Sequence, residues 1–258
     1  MAIGTHKKLL VALLAAGLLF GCGGAEERKA KYLERSKAFI AEEDWDKARV
    51  EIRNVLQIDP KTAEAHYLLG QVEEKRQEWR RAYGAYSKAV ELDPDNLPAR
   101  ERLAQFYMMQ ANAYRGQDQR TEEANALGQA QNEIDEILKR DPSHPGARAL
   151  QASMLSREGK TQEALALAEA VVRDAPDHTA AAGLLAALYE QAGRTADAEK
   201  VLVEGAAKSS EPLPLQLHLA QLYARDKQPE KAEQVMRDVI AARPDELRHR
   251  ISLAQFLS

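Results

Sequence analysis

"AEAHYLLGQVEEKRQEWRRAYGAYSKAVELDP", Ala63 to Pro94, holds the pattern from which the rest of the chain is read. It is built of strong helix formers and ends on a proline, which cannot continue a helix. Gly70 stands at its position 8 and Ala82 at position 20, two small residues where helix backbones can approach closely. Helix-ending prolines of the same kind fall at Pro60, Pro94, Pro142, Pro176 and Pro244, at intervals of 34, 48, 34 and 68. All but one of those intervals are multiples of 34, so the chain divides into six units: residues 29–62, 63–96, 97–144, 145–178, 179–212 and 213–246.

The registers agree in detail. Position 20 is Ala48, Ala82, Ala130, Ala164, Ala198 and Ala232, with the third unit counted back from Pro142. Position 8 is Ser36, Gly70, Ala104, Ala152, Ala186 and Ala220. Position 11 is large in five units (Phe39, Tyr107, Leu155, Tyr189 and Tyr223), and Glu73 is the exception. This is the pattern of two antiparallel helices per unit: small residues admit the second backbone and the bulky residue fills the adjoining space. No unit can bury its apolar face alone, so neighbours must stack. The fifth unit has Ser210 where the others carry proline, with Pro212 and Pro214 close behind. Trp45 and Trp79 share position 17, where packing between helices is the reading and ligand stacking the alternative.

The repeat resembles the tetratricopeptide repeat (TPR) family over residues 29–246. The resemblance implies an all-α fold, a TPR α-solenoid in which antiparallel helix pairs wind into a right-handed superhelix. It also implies that the first helix of each repeat lines a concave groove through positions 2, 5, 9 and 12. Carried onto this sequence, the groove residues are Tyr67, Gln71, Glu74, Glu101, Gln105 and Met108, then Ala149, Ser153, Ser156, Gly183 and Ala187, then Leu217 and Gln221. Small side chains in the fourth and fifth units leave room for a partner helix or strand, or reflect only an Ala-rich helix with nothing to hold. The Lys and Asn constellation that clamps chaperone C-terminal carboxylates in some TPR proteins is absent.

The third unit carries 14 extra residues within Tyr107 to Ile134. The economical solution lengthens each helix by about seven residues, roughly 10 Å. Gly116 to Arg120 then form the turn, Thr121 caps the next helix, and Glu122 and Glu123 favour its dipole. Ala111, Ala113, Ala124 and Ala126 allow close packing. The expectation is a protruding helical hairpin, either a docking surface for a partner or a tolerated insertion.

Residues 1–21 read as an export signal: Lys7 and Lys8 precede an uncharged run from Leu9 to Phe20. That run spans roughly 18 Å as a helix, short of the ~30 Å hydrocarbon core. "LLFGCGG", Leu18 to Gly24, holds the single cysteine and resembles the bacterial lipobox, although Phe20 is bulkier than usual at its place. The resemblance implies that Cys22 becomes an acylated N-terminus, and Gly23 after it implies the outer membrane, facing the periplasm. Residues 22–28 are then a lipidated linker reaching about 20 Å at full extension. At the other end, Leu247 to Ser258 restart the repeat at its first helix, the expected opening of a seventh, incomplete unit. Either a longer array continues from it or that helix pairs with another chain.

No HExxH, GxSxG, Walker loop or CxxC occurs, and the six histidines are dispersed, so neither an enzyme nor a metal or cofactor site is expected. The net charge is −4, poorly suited to nucleic acid. Leader and repeat style resemble the TPR lipoproteins of exopolysaccharide and exosortase-linked systems, which implies a membrane-anchored protein-interaction scaffold that assists assembly or export in the bacterial envelope. The alternative is a pilotin-type assembly chaperone for an outer-membrane secretin or pilus system. Expected partners are other envelope proteins or a peptide segment, and the membrane through the acyl anchor.

Overall fold

Helix formers without β-branched runs give helices and, among the described residues, no strand. A computed structural model describes residues 24–242. Cys22 and residues 247–258 therefore lie outside the described residues.

The described residues up to Ala130 form one compact unit and those from Gln131 a second. The first contains α1 (residues 24–41), α2 (Trp45–Ile58), α3 (Ala63–Lys75), α4 (Trp79–Leu92) and α5 (Leu97–Gly116). Helix α6 (Arg120–Arg140) spans the boundary. The second unit continues with α7 (Pro145–Arg157), α8 (Thr161–Asp174), α9 (Thr179–Gln191), α10 (Thr195–Lys208), α11 (Leu213–Arg225) and α12 (Pro229–Ala242). In the first unit α3 packs on α2 and α4, and α4 on α5. In the second each helix packs on its successor, and α9 also touches α7 and α11, so first helices form a continuous row. This is the layering of an α-solenoid.

The small residues do what close approach requires. All six alanines at position 20 are fully buried, as are Ser36, Ala104, Ala152 and Ala186 at position 8. Gly70 approaches Tyr86 so closely that a Cβ there would lie 2.5 Å from the ring. Around these contacts Ile52, Val55 and Val72 fill the core of the first unit, and Leu185, Leu202 and Leu215 that of the second. Each such side chain contributes about 1.5–3 kcal/mol on burial. Glu73, the exception at position 11, is buried too, and its Oε1 accepts a 2.6 Å hydrogen bond from Arg49 Nε of the preceding helix.

Six turns within helix pairs share one conformation. Glu43, Gln77, Asp118, Gly159, Gly193 and Lys227 all have φ between 55° and 79°. In each turn the next N–H donates back five residues, as from Glu78 to Glu73 (2.8 Å) and from Gln119 to Tyr114 (3.0 Å). This closure of the first helix satisfies its last carbonyls and sends the chain back antiparallel. Between pairs, Asn96, His144 and His178 cap α5, α7 and α9, their side chains accepting from Ala99, Ala147 and Ala181. The two loop histidines thus have a structural task.

The extra residues of the third pair are shared between its helices: α5 has 20 residues and α6 has 21, against 13 and 14 in α3 and α4. One expectation is corrected. Helix α6 begins at Arg120, so Thr121 lies inside its first turn rather than capping it. The reason is that the turn residue, Asp118, sits two residues after the end of α5, as Gln77 does after α3 and Gly159 after α7, which starts the next helix earlier.

Candidate interaction surfaces

The first helices of each unit present a face of their own, and the two faces differ chemically. In the first unit, Tyr67, Gln71 and Glu74 lie on α3 and Glu101, Gln105 and Met108 on α5. Gln71 Nε2 donates to the Tyr67 hydroxyl (3.0 Å), and Gln105 Nε2 donates to Glu101 Oε1 (2.9 Å). Glu74 is the hub: Tyr86 Oη donates to its Oε2 (3.0 Å), Arg102 Nε donates to the same oxygen (3.1 Å), and Arg102 Nη2 reaches Oε1. Burial holds the Tyr86 phenol well above its usual pKa, reinforced by nearby Tyr67, so the hydroxyl stays protonated and donating. Met108 is buried. This face is therefore a pre-organised polar surface whose acid is already matched by a guanidinium.

In the second unit Ala149 is buried, Ser153, Ser156, Gly183, Ala187 and Leu217 are half-buried, and Gln221 is exposed. Ala187 and Gln221 join Glu190, His218, Leu222 and Arg225 around a cleft of about 600 Å³ between α9 and α11. Glu190 is held from both sides, His218 Nε2 lying 2.6 Å from its Oε1 and Arg225 Nη2 2.5 Å from its Oε2. Ala187 and Leu222 give the cleft its apolar lining and Glu190, His218 and Arg225 an ionic wall, an arrangement that admits a chain and orients its polar groups. Glu190 stands at position 12 of its unit, in the same row as Glu74, and the periodic rule would have found it. His218 lies on the same helix face as Leu217 and Gln221 without belonging to that row, and only the fold brings it to Glu190.

A second cleft, of about 510 Å³, lies in the first unit on other residues. Trp79, Arg80 and Tyr83 of α4 face Phe106, Tyr107, Met109, Gln110 and Ala113 of α5, with Gln129 of α6. The rings meet edge to face: Trp79 with Phe106 at 6.5 Å, Tyr83 with Phe106 at 6.2 Å and Tyr83 with Tyr107 at 5.8 Å. Trp79 is 48% exposed, whereas Trp45 at the same repeat position packs against the core. Among the described residues no group of three or more His, Cys, Asp or Glu is placed to hold a metal ion, and no helix is long and apolar enough to cross a membrane.

No curated protein matches the chain. Several solved structures resemble it at low identity. PilF of Pseudomonas aeruginosa is 18% identical with a TM-score of 0.55, over 90% of this chain and 99% of that one. PilW, a widely conserved type IV pilus biogenesis factor, is 16% identical with a TM-score of 0.57, over 87% and 98%. The APC/C hetero-tetramer Cut9-Hcn1 gives 15% and 0.62, over 89% of this chain and 43% of the other. Tetratricopeptide repeat models match residues 63–96, 109–179, 155–214 and 213–246. Matched helix pairs, shared fold and repeated small residues lead to one conclusion: the chain belongs to the tetratricopeptide repeat family and is built as a protein-interaction scaffold.

Proposed function

We propose that this scaffold works in the bacterial envelope, tethered by acyl chains on Cys22 at the outer membrane, and holds a segment of an envelope protein against its first-helix row while a larger machine for export or polymer secretion is assembled. The observation that carries the reading is the cleft of the second unit, where the small side chain of Ala187 lies in the same cleft as the clamped carboxylate of Glu190. Its chemistry is recognition rather than catalysis: every charged group named on the two faces is matched by a neighbour. The tether rests on the order of Lys7, Lys8, the apolar run and Cys22. More than one acyl chain makes such anchoring stable, each buried CH₂ adding about 0.8 kcal/mol.

Two experiments test it. Cys22→Ser is expected to move the protein from the membrane fraction to the soluble one and to abolish labelling by radioactive palmitate; a variant that stays membrane-bound rejects the tether. A photo-crosslinking residue at Gln221 is expected to capture one envelope protein that a residue at Val203, on another helix face, does not. Equal capture at both positions rejects the groove.

A second reading is a pilotin-type chaperone for an outer-membrane secretin or pilus system. It is supported by likeness to PilF and PilW over nearly the whole of both chains. Deleting the gene separates the two: loss of surface pili or secretin multimers favours the chaperone, and loss of exported polysaccharide favours the scaffold.

A further inference from the structure

Three of the five large apolar side chains that stand exposed among the described residues, Trp79, Tyr83 and Met109, line the 510 Å³ cleft between α4 and α5. Exposed apolar surface gathered in a concavity marks an interaction site, whereas single scattered residues do not. The cleft exists because α5 runs on past the length of the other first helices: Gln110 and Ala113 belong to that extension.

Its lining also says what it would hold. The walls are all helix, with backbone donors and acceptors already bonded along them, so no strand can be added to an edge. An occupant must be recognised by side chains and must leave its own backbone solvated. A polyproline II segment meets both conditions, and aromatic-lined grooves are the surfaces on which such segments dock. Ring edges from Trp79, Tyr83 and Phe106 form ridges between which proline rings can pack, and the Gln129 amide supplies a polar contact at the rim.

Charge narrows the choice. In a chain of net charge −4, no carboxylate lines this cleft, and its one ionised side chain, Arg80, has no ion-pair partner among the described residues. We propose that the α4/α5 cleft is a second docking site, separate from the first-helix row, for an extended proline-rich segment of a partner protein that carries carboxylates beside its prolines.

The test uses the full chain and three fluorescein-labelled decapeptides followed by fluorescence anisotropy: one of alternating Pro and Glu, one with Lys for every Glu, one with Gly for every Pro. The Pro/Glu peptide is expected to bind saturably, and both others about tenfold more weakly, since a central aromatic anchor and a charge match each contribute on that scale. Trp79→Ala and Tyr83→Ala are each expected to weaken it about tenfold, and Arg80→Glu to reverse the preference between Glu and Lys. Met109→Gln, at a half-exposed position on the cleft wall, guards against a folding effect and is expected to weaken binding less than Trp79→Ala. Glu190→Gln, in the other unit, is expected to leave binding unchanged, so failure here is distinct from failure of the first-helix groove. The proposal is overturned if the Pro/Glu peptide does not saturate or if Trp79→Ala binds it as the unaltered chain does. It is equally overturned if sedimentation shows dimers that Trp79→Ala abolishes, which would assign the cleft to self-association.

Discussion

Two stretches of the first unit, thirty-four residues apart, stand in the same register and meet different fates. In the first, Trp45 packs against the core and Arg49 forms a 2.6 Å ion pair with Glu73, whose side chain is 3% exposed. In the second, Trp79 is open, and the pair equivalent to Arg49 and Glu73 is Tyr83 and Tyr107, joined hydroxyl to hydroxyl at 3.0 Å and reachable by solvent. Repeat position therefore fixes where a backbone goes. What a side chain does there depends on how far the neighbouring helix runs and whether its partner carries a charge.

Breaking the buried pair is expected to have the largest effect. Arg49→Leu leaves the buried Glu73 side chain without its guanidinium partner, and urea unfolding followed by circular dichroism should show a loss of about 3–5 kcal/mol. The double change Arg49→Tyr with Glu73→Tyr copies the second stretch into the first and should recover most of that loss; if it does not, the two stretches are not interchangeable. Next is Gly70→Ala, where the new Cβ meets the ring of Tyr86 at 2.5 Å, at an expected cost of about 1–3 kcal/mol. In the next repeat Ile134 replaces Tyr86, and there an alanine, Ala104, fits without exposure.

Tyr86→Phe removes one of the donors to Glu74 but leaves Arg102, so about 0.5–1.5 kcal/mol is expected. The same residue sharpens a pH effect. Burial raises the Tyr86 phenol and pushes that of Tyr223 up to about 12, so above pH 10 the unfolded chain releases protons that the folded chain keeps. Stability present below pH 10 is then lost as pH rises through 12, and Tyr86→Phe should make the decline shallower in alkaline melts. Smallest is Tyr83→Phe, which deletes an exposed hydroxyl contact and should change stability by less than about 0.5 kcal/mol. A large loss there would show that the open stretch belongs to the core no less than the closed one.

The fold was legible because its constraint is steric and periodic. Only small residues fit at positions 8 and 20, and every repeat obeys. The shared turn was not legible, since its left-handed position is filled by Glu, Gln, Asp, Gly and Lys alike. The conformation is imposed by the hydrogen bond that closes the preceding helix, and that bond leaves no mark on residue type. Thr121 reads as a cap for the same reason: capping chemistry is visible in residue types and turn geometry is not. The groove row was readable as a row, but not its pairing. Nothing in the spacing of Glu74, Tyr86 and Arg102 announces that one carboxylate gathers both donors, and His218 reaches Glu190 only once α9 and α11 are side by side.

The lengthened pair adds seven residues to each arm, and seven residues turn an α-helix to within about 20° of two complete revolutions. The insertion is therefore nearly neutral in phase. Residues before it and after it keep their bearings, and Ala104 and Ala130 remain buried on either side of a turn displaced by roughly 10 Å. A scaffold of this kind can change its reach in steps of two turns without disturbing what its helices face, so length and interior can vary independently.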